Sequence, residues 1–325
     1  MVNPQSLFSE YFKLHKITDV VGESRPVLTL NKDQTIQECI SKMIEKDVRS
    51  APVIECEQSL EQNKAVFVDY IDIVDFVIDL LLKQDKTITL ETLQNENLKN
   101  AILQTKVSEV ANYSKLDAYV TLPSSSTMFQ VAEKLGQGNK RVVVCEQGKV
   151  LNVVTHSDVI SLLKKCIDDK GAANFSDTMD ALGLGIEFNS YVTEEDRAID
   201  AFLLMRQKRI SFVPILTSDS DDDRQIISVI SARDISLLSH GNIDILNMPV
   251  LDFLSSVRQS NPVDKYPYLW CKHDSTLEMI VKRLKATRVH RLLMINDTKL
   301  PTAVVSVQQL TIFLTGGQRS EQMTE

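Results

Sequence analysis

Among its 325 residues the chain has only five cysteines, Cys39, Cys56, Cys145, Cys166 and Cys271, and no two form a C-x-x-C pair. That spacing offers neither a zinc knuckle nor a disulfide framework, so a reducing compartment suits the chain best. Long apolar runs are missing too. The longest, near 76–82, is broken by Asp79 and is far too short to cross a bilayer, so no membrane association is expected. The opening Met-Val-Asn-Pro-Gln lacks the charged-then-apolar pattern of a secretion signal. Positive charge is in deficit: 36 Lys and Arg face 44 Asp and Glu, for a formal net charge of -8. Broad nucleic-acid binding is therefore not expected, and any basic site must be local. Neither G-x-x-x-x-G-K-S/T nor G-x-G-x-x-G occurs, which removes the two common glycine-rich phosphate loops. His15, His240 and His273 have no metal-ligand spacing, and no metal site is expected.

What is present is an internal repeat in four copies. Each opens with a short β-branched strand, at 27–30, 119–122, 191–193 and 268–271. A polar turn leads to an amphipathic helix, at 35–45, 127–135, 198–207 and 276–286; in the first, Ile36, Cys39, Ile40 and Met43 recur at helical spacing. Candidate N-caps are Asp33 or Thr35, Ser126 or Thr127, and Asp274 or Ser275. Continuous apolar runs at 51–54, 142–145, 212–216 and 292–295 read as second strands buried on both faces. Hairpins follow at 55–64 and 146–149, and the third copy has an acidic loop at 218–223 that reads as solvated surface. Third strands at 65–69, 150–155, 226–231 and 303–306 run straight into another helix. The expected plan is an N-terminal lead at 1–17, repeats at 18–84, 106–167, 178–240 and 250–317, and a tail at 318–325. The Gly-, Ala-, Asn- and Asp-rich linker at 168–177 is the expected boundary between two halves.

Two sets of polar residues recur in this plan. Arg49, Lys140-Arg141, Lys208-Arg209 and His290-Arg291 stand at the start of the second strands. Arg presents a planar fork of donors matched to phosphate oxygens, though each residue alone is equally served by a salt bridge at a strand edge. The ends of the third strands carry Asp69-Tyr-Ile-Asp72, Thr155-His-Ser-Asp158, Ser231-Ala-Arg-Asp234 and Ser306-Val-Gln-Gln309. This S/T-x-x-D form serves as a helix cap, and its carboxylate can also accept ribose hydroxyl protons beside a helix N-terminus. Gln309 lacks the charge, which weakens the fourth position as an acceptor. A Ser157-His156-Asp158 catalytic grouping is disfavoured, since equivalent positions lack His, and no catalytic residues are expected.

These units resemble cystathionine-beta-synthase (CBS) domains, and four in this order resemble the gamma subunits of AMP-activated protein kinase. The resemblance rests on 11–19 (Tyr-Phe-Lys-Leu-His-Lys-Ile-Thr-Asp), 48–52 (Val-Arg-Ser-Ala-Pro), 179–185, 207–214, 288–292 (Arg-Val-His-Arg-Leu) and 314–317 (Leu-Thr-Gly-Gly). It implies an α/β fold of the CBS (α+β) type, with four tandem repeats in two paired modules forming a flattened disk. It implies no enzymatic activity and no required cofactor, but AMP, ADP and ATP as regulatory ligands. Kinase alpha (catalytic) and beta (scaffold) subunits are the implied partners, in the cytoplasm and nucleus. By position, Asp72 and Asp234 are implied to hold ribose, and Asp158 to offer a site that animal members close with Arg. Arg49, Lys140, Arg141, Arg209, Ser211, His290 and Arg291 are implied to line a phosphate cavity. The chain departs from that pattern at Lys140, where a His is usual, and at Ser157, where a Lys is. It departs again at Gln308-Gln309, in place of Ser-Asp, and at Asp69, in place of Ser or Thr. Two other readings stay open: a gamma-like scaffold with little nucleotide response, and a CBS regulator of another enzyme or a transporter.

Overall fold

The computed structural model describes residues 3–22, 27–55, 66–116, 118–147, 149–187, 189–218, 225–260 and 268–317. The first hairpin beyond Glu55, the acidic loop beyond Ser218 and the tail at 318–325 lie outside them.

Each repeat builds a small sheet on one plan. A short first strand lies parallel to the second, and the third runs antiparallel to the second. In the first repeat these are Leu30–Asn31, Ser50–Ile54 and Val66–Asp69. In the second they are Thr121–Pro123, Arg141–Glu146 and Lys149–Thr155. The third uses Val192–Thr193, Phe212–Leu216 and Ile226–Ser231. The fourth uses Trp270–Cys271, Arg291–Ile295 and Pro301–Ser306. It gains a fourth strand, Ile186–Glu187, which pairs antiparallel with Pro301–Ser306 although it precedes the third repeat in sequence. The parallel first pair requires a crossover, and the amphipathic helix of each repeat supplies it. The second strands are almost wholly buried, as their unbroken apolar runs require.

The crossover helices are Ile36–Glu45, Met128–Gly136, Ala198–Lys208 and Leu277–Thr287. Thr35 and Thr127 cap the first two through reciprocal bonds with Glu38 and Gln130. The fourth is capped by Thr276, whose hydroxyl accepts from the Met279 amide, and not by Asp274 or Ser275. Ser275 instead accepts from the Lys272 amide and shapes the preceding turn. In the third repeat Arg197 holds the N-cap place and grips Asp200 with Nε and Nη2.

The chain divides into two compact units, and they interleave the repeats. One takes Met1–Val27, Ala118–Phe188 and Tyr268–Gln322, so it contains the second and fourth repeats. The other takes Leu28–Asp117 and Asn189–Pro267, and contains the first and third. The linker at 168–177 therefore does not mark the division into halves that its composition suggests. Helix packing joins alternate repeats: 128–136 meets Val307–Thr315, and 36–45 meets the 3-10 helix Ala232–His240. The second-and-fourth unit centres on Phe8, Phe12, Leu135, Phe175 and Leu284, with Phe8 and Phe175 stacked at 4.7 Å. The first-and-third unit centres on Ile40, Met43, Ile73, Phe202 and Phe253, the last two edge to face at 5.9 Å.

Candidate functional site

The antiparallel register gives the four repeats a common frame. Ser50, Arg141, Phe212 and Arg291 pair with Asp69, Thr155, Ser231 and Ser306, the residues that cap the following helices. In that frame the residue just before the second strand is Arg49, Lys140, Ser211 or His290. Arg209 is not in that set. It lies three residues ahead of its strand with φ 55°, and its structural counterparts are Asp47 (φ 49°), Gly138 (φ 96°) and Arg288 (φ 57°). The sequence grouped Arg209 with the other basic residues because Lys208-Arg209 precedes a strand. The structure gives it instead to the left-handed turn that ends the crossover helix, a conformation costly for a residue with a Cβ.

At the third-strand ends all four helices start with a capping box. In the second repeat Asp158 Oδ2 accepts from the Thr155 amide at 2.9 Å and its hydroxyl at 3.4 Å. In the third, Asp234 Oδ2 accepts from the Ser231 amide at 2.6 Å and hydroxyl at 3.0 Å. In the fourth, Gln309 Oε1 accepts from the Ser306 amide at 2.9 Å while the Ser306 hydroxyl accepts from the Gln309 amide. Gln309 therefore retains the structural half of the motif without its charge.

In the second-and-fourth unit the sites of interest are Lys140, Arg141, Asp158, His290 and Arg291. Arg141 is buried, Lys140, His290 and Arg291 are half-buried, and Ser157 is exposed in the first turn of His156–Lys170. Ser157 Oγ lies 3.3 Å from His290 Nε2, so the fourth repeat reaches the helix start of the second. The Ser157-His156-Asp158 grouping does not form a relay. The Ser157 hydroxyl meets His290, and Asp158 Oδ2 is turned to its own cap. A helix N-terminus with a cation-capable ring and flanking basic strand starts suits an anionic oxygen.

In the first-and-third unit the sites are Arg49, Asp72, Arg209, Ser211 and Asp234. Arg49 and Arg209 are exposed, Ser211 is half-buried, and Asp72 and Asp234 are buried. Asp72 differs from its counterparts because Asp69, its N-cap, has no hydroxyl to give. Asp69 Oδ1 accepts from the Ile71 and Asp72 amides, and Asp72 Oδ2 accepts from the Asp69 amide at 3.0 Å. Asp72 Oδ1 takes two bonds from Ser114, 2.9 Å from its amide and 2.6 Å from its hydroxyl. Burial, then the neighbouring Asp69 charge, pushes the Asp72 carboxyl well above the usual carboxylate range, against the opposing bonds from Ser114. Sequence reading missed Ser114, which lies 42 positions away. The available signal was the missing hydroxyl at Asp69, which leaves the N3 carboxylate in need of another donor.

Further along the same helix, Asp79 accepts from Tyr113 at 2.6 Å, Lys83 at 2.9 Å and Arg206 at 2.8 Å. These donors, Tyr113 foremost, hold its carboxyl far below the usual range. Burial pushes the thiols of Cys39, Cys166 and Cys271 up to about 12, so none is a ready nucleophile. Among the described residues no cluster of three His, Cys, Asp or Glu could hold a metal, and no helix is long and apolar enough to cross a membrane.

The CBS domain family matches at residues 17–61, 107–165 and 189–241. The fourth repeat shares the strand order and cap register of the other three. The gamma subunit of 5'-AMP-activated protein kinase from Dictyostelium discoideum is 24% identical over 326 residues, covering 97% of this chain and 54% of that protein. Protein SDS23 of Scheffersomyces stipitis is 21% identical over 296 residues, covering 83% of this chain and 55% of that protein. The chain thus spans about half the length of the curated relatives it matches. Protein MJ1225 of Methanocaldococcus jannaschii, a proposed archaeal homologue of g-AMPK, shares the fold with a TM-score of 0.67 at 17% identity, over 89% of this chain and 96% of that one. Three of the four repeats thus match the CBS domain family, the fourth is built to the same register, and the chain as a whole has the CBS-repeat fold that it shares with MJ1225.

Proposed function

We propose that the chain is a non-catalytic, adenine-nucleotide-responsive regulatory (gamma) subunit of an AMP-activated-type Ser/Thr protein kinase. Its partners would be a catalytic alpha and a scaffolding beta subunit, in the cytoplasm and nucleus. The observation that carries this reading is the common frame of the repeats. In three of the four, the residue before the second strand can carry positive charge: Arg49, Lys140 and His290. Each stands beside a capped helix start, where amide groups and the helix dipole favour phosphate oxygens. Asp158 supplies a carboxylate for ribose at one of those starts, and Asp234 supplies one at the helix start of the third repeat. Binding regulates only if nucleotide favours one of two states of the kinase assembly over the other.

Thermal unfolding with AMP, ADP and ATP tests the ligand half of the proposal. A nucleotide at about one hundred times its dissociation constant adds roughly 2.7 kcal/mol of stability. Asp234→Ala should weaken AMP binding by about 1–3 kcal/mol. Co-purification with kinase alpha and beta subunits tests the partner half. A second reading, a gamma-like scaffold with little nucleotide response, is favoured by the neutral Gln309 and by the relative named SDS23. Unchanged melting with all three nucleotides, together with kinase co-purification, selects it. Recovery with another enzyme or a transporter selects a different regulatory role.

A further inference from the structure

Residues 111–116 form a strap along the first helix start that contains a candidate ribose carboxylate. Four contacts hold it. The Asn112 amide donates to the Phe67 carbonyl at 2.8 Å, which pins the strap to the third strand. The Tyr113 ring packs edge to face on Phe76 at 5.4 Å. The Tyr113 hydroxyl donates to Asp79 at 2.6 Å. Ser114 then gives both its amide and its hydroxyl to Asp72 Oδ1. Asp72, Phe76 and Asp79 are spaced to share one face of Tyr70–Gln84, so the strap follows that face for two turns. Asn112 and Lys115 both adopt left-handed conformations, φ 53° and 55°, on either side of the contact. For non-glycine residues those angles cost energy and are kept where the surroundings demand them. The demand here is to turn Ser114 inward. It is buried, at 7% exposure, and Asp72 beneath it is 2% exposed.

The chemistry of the contact is that of a ligand. An aspartate holding ribose accepts hydroxyl protons, and Ser114 presents a hydroxyl to that carboxylate from within the chain. In the second and third repeats the carboxylate is approached by a hydroxyl from its own N-cap, Thr155 or Ser231, on Oδ2. In the first repeat Asp69 cannot donate, and the hydroxyl arrives from the strap on Oδ1 instead. Asp72 Oδ2 is meanwhile committed to the Asp69 amide. We propose that Ser114 is an internal stand-in for ribose, so that the first repeat is closed by its own strap and nucleotide is directed to the remaining repeats. This rests on the nucleotide-binding reading above. It makes Ser114 the residue that sets how many sites the chain offers.

Calorimetric titration of AMP into the full chain tests it, using wild type, Ser114→Ala, Ser114→Ala with Asp72→Asn, and Asp234→Ala. The expected result is a binding event in Ser114→Ala that the wild type lacks, or binding about tenfold tighter, abolished by adding Asp72→Asn. Equal stoichiometry and affinity in wild type and Ser114→Ala, including no binding in either, overturns the proposal. An Asp72-dependent event already present in the wild type overturns it as well. Asp234→Ala separates the two readings. If the wild type binds through Asp234 while Ser114→Ala changes nothing, only the strap proposal falls. If the wild type binds nothing while Ser114→Ala binds through Asp72, the strap stands and the third-repeat site falls. Should the alanine variant not fold, Ser114→Cys, close in size but a poor donor, takes its place with the same expected outcome.

Discussion

The first and fourth repeats start their last helices in the same register but with different chemistry. In the fourth, Ser306 and Gln309 exchange bonds locally, with no charge involved. In the first, Asp69 and Asp72 place two buried carboxyls side by side and draw on Ser114 from far along the chain. The comparison teaches that the capping task needs only an acceptor at the third helical position, and an amide serves. Carboxylates at that position therefore add something that folding does not require. In the first repeat they also add a cost, which a long-range donor offsets.

The largest test removes the acceptor from each junction. Asp72→Ala leaves the Ser114 amide, the Ser114 hydroxyl and the Asp69 amide without that partner in a buried place. A loss of about 2–4 kcal/mol is expected, reduced somewhat by relief of the Asp69 repulsion. Gln309→Ala deletes one side of a local cap and should cost about 0.5–1 kcal/mol. Urea unfolding monitored by circular dichroism measures both. Equal losses would mean that the two junctions are energetically alike and that the Ser114 contact contributes little.

A second test contrasts two acids on one helix. Asp72 is pushed up from 3.8 by burial and then by Asp69. Its protonated form is favoured by the fold, so its contribution is present at low pH and declines as pH rises above that value. Asp79 is pushed down from 3.8 by Tyr113, Lys83 and Arg206. Its contribution is present above that value and is lost as pH falls below it. Unfolding midpoints between about pH 3 and pH 8 should therefore show a shallower acid-side fall in Asp79→Asn and flatten toward neutral pH in Asp72→Asn. Asp79→Asn should also cost about 1–2 kcal/mol at neutral pH, since it weakens a three-donor acceptor. Identical pH profiles in wild type and Asp72→Asn would show that the buried pair does not hold a proton in the native state.

Much of this scaffold was legible in the chain itself. The second strand at 212–216 falls where its apolar run predicts, because a fully buried strand leaves an unbroken hydrophobic signature. The crossover helices agree to within about one residue, because apolar periodicity and Thr caps are local signals. Non-local pairings were not legible. Ile186–Glu187 is too short to announce a strand and is defined only by the edge of Pro301–Ser306 that it joins. The interleaving of repeats follows from which helix faces match, and no linker composition encodes that. All ten candidate site residues come from the sequence, and among them the equivalence of Arg209 with Arg49 fails at the level of backbone conformation.

That failure gives a third, smaller test. Arg209 pays for a left-handed conformation, so Arg209→Gly should raise stability by about 0.5–1 kcal/mol. Arg49 has no such cost, and Arg49→Gly should give no gain. If Arg209 nevertheless contacts phosphate, Arg209→Gly will bind AMP more weakly while melting higher without ligand. Parallel melting and titration of the two variants separates the backbone effect from the ligand effect.

The smallest effect on stability is expected from Gln309→Asp. The side chain is one methylene shorter, but aspartate fills this same position in the other three repeats and accepts from the cap amide there. Ser306 can then donate its hydroxyl to the new carboxylate, as Ser231 does to Asp234. The added charge sits in the first turn of a nine-residue helix, where the dipole favours it by about 0.3–1 kcal/mol. Folding stability should therefore move by no more than about 0.5 kcal/mol. Ligand binding should respond more strongly. A ribose hydroxyl bonded to a carboxylate is held more firmly than one bonded to a neutral amide. Under the nucleotide reading, Gln309→Asp adds a binding event for AMP or tightens an existing one. Calorimetry with unchanged stoichiometry and affinity, in a variant whose melting temperature matches the wild type, would show that charge at the helix start is not what makes a repeat bind. The contrast between the first and fourth repeats would then be one of folding chemistry alone.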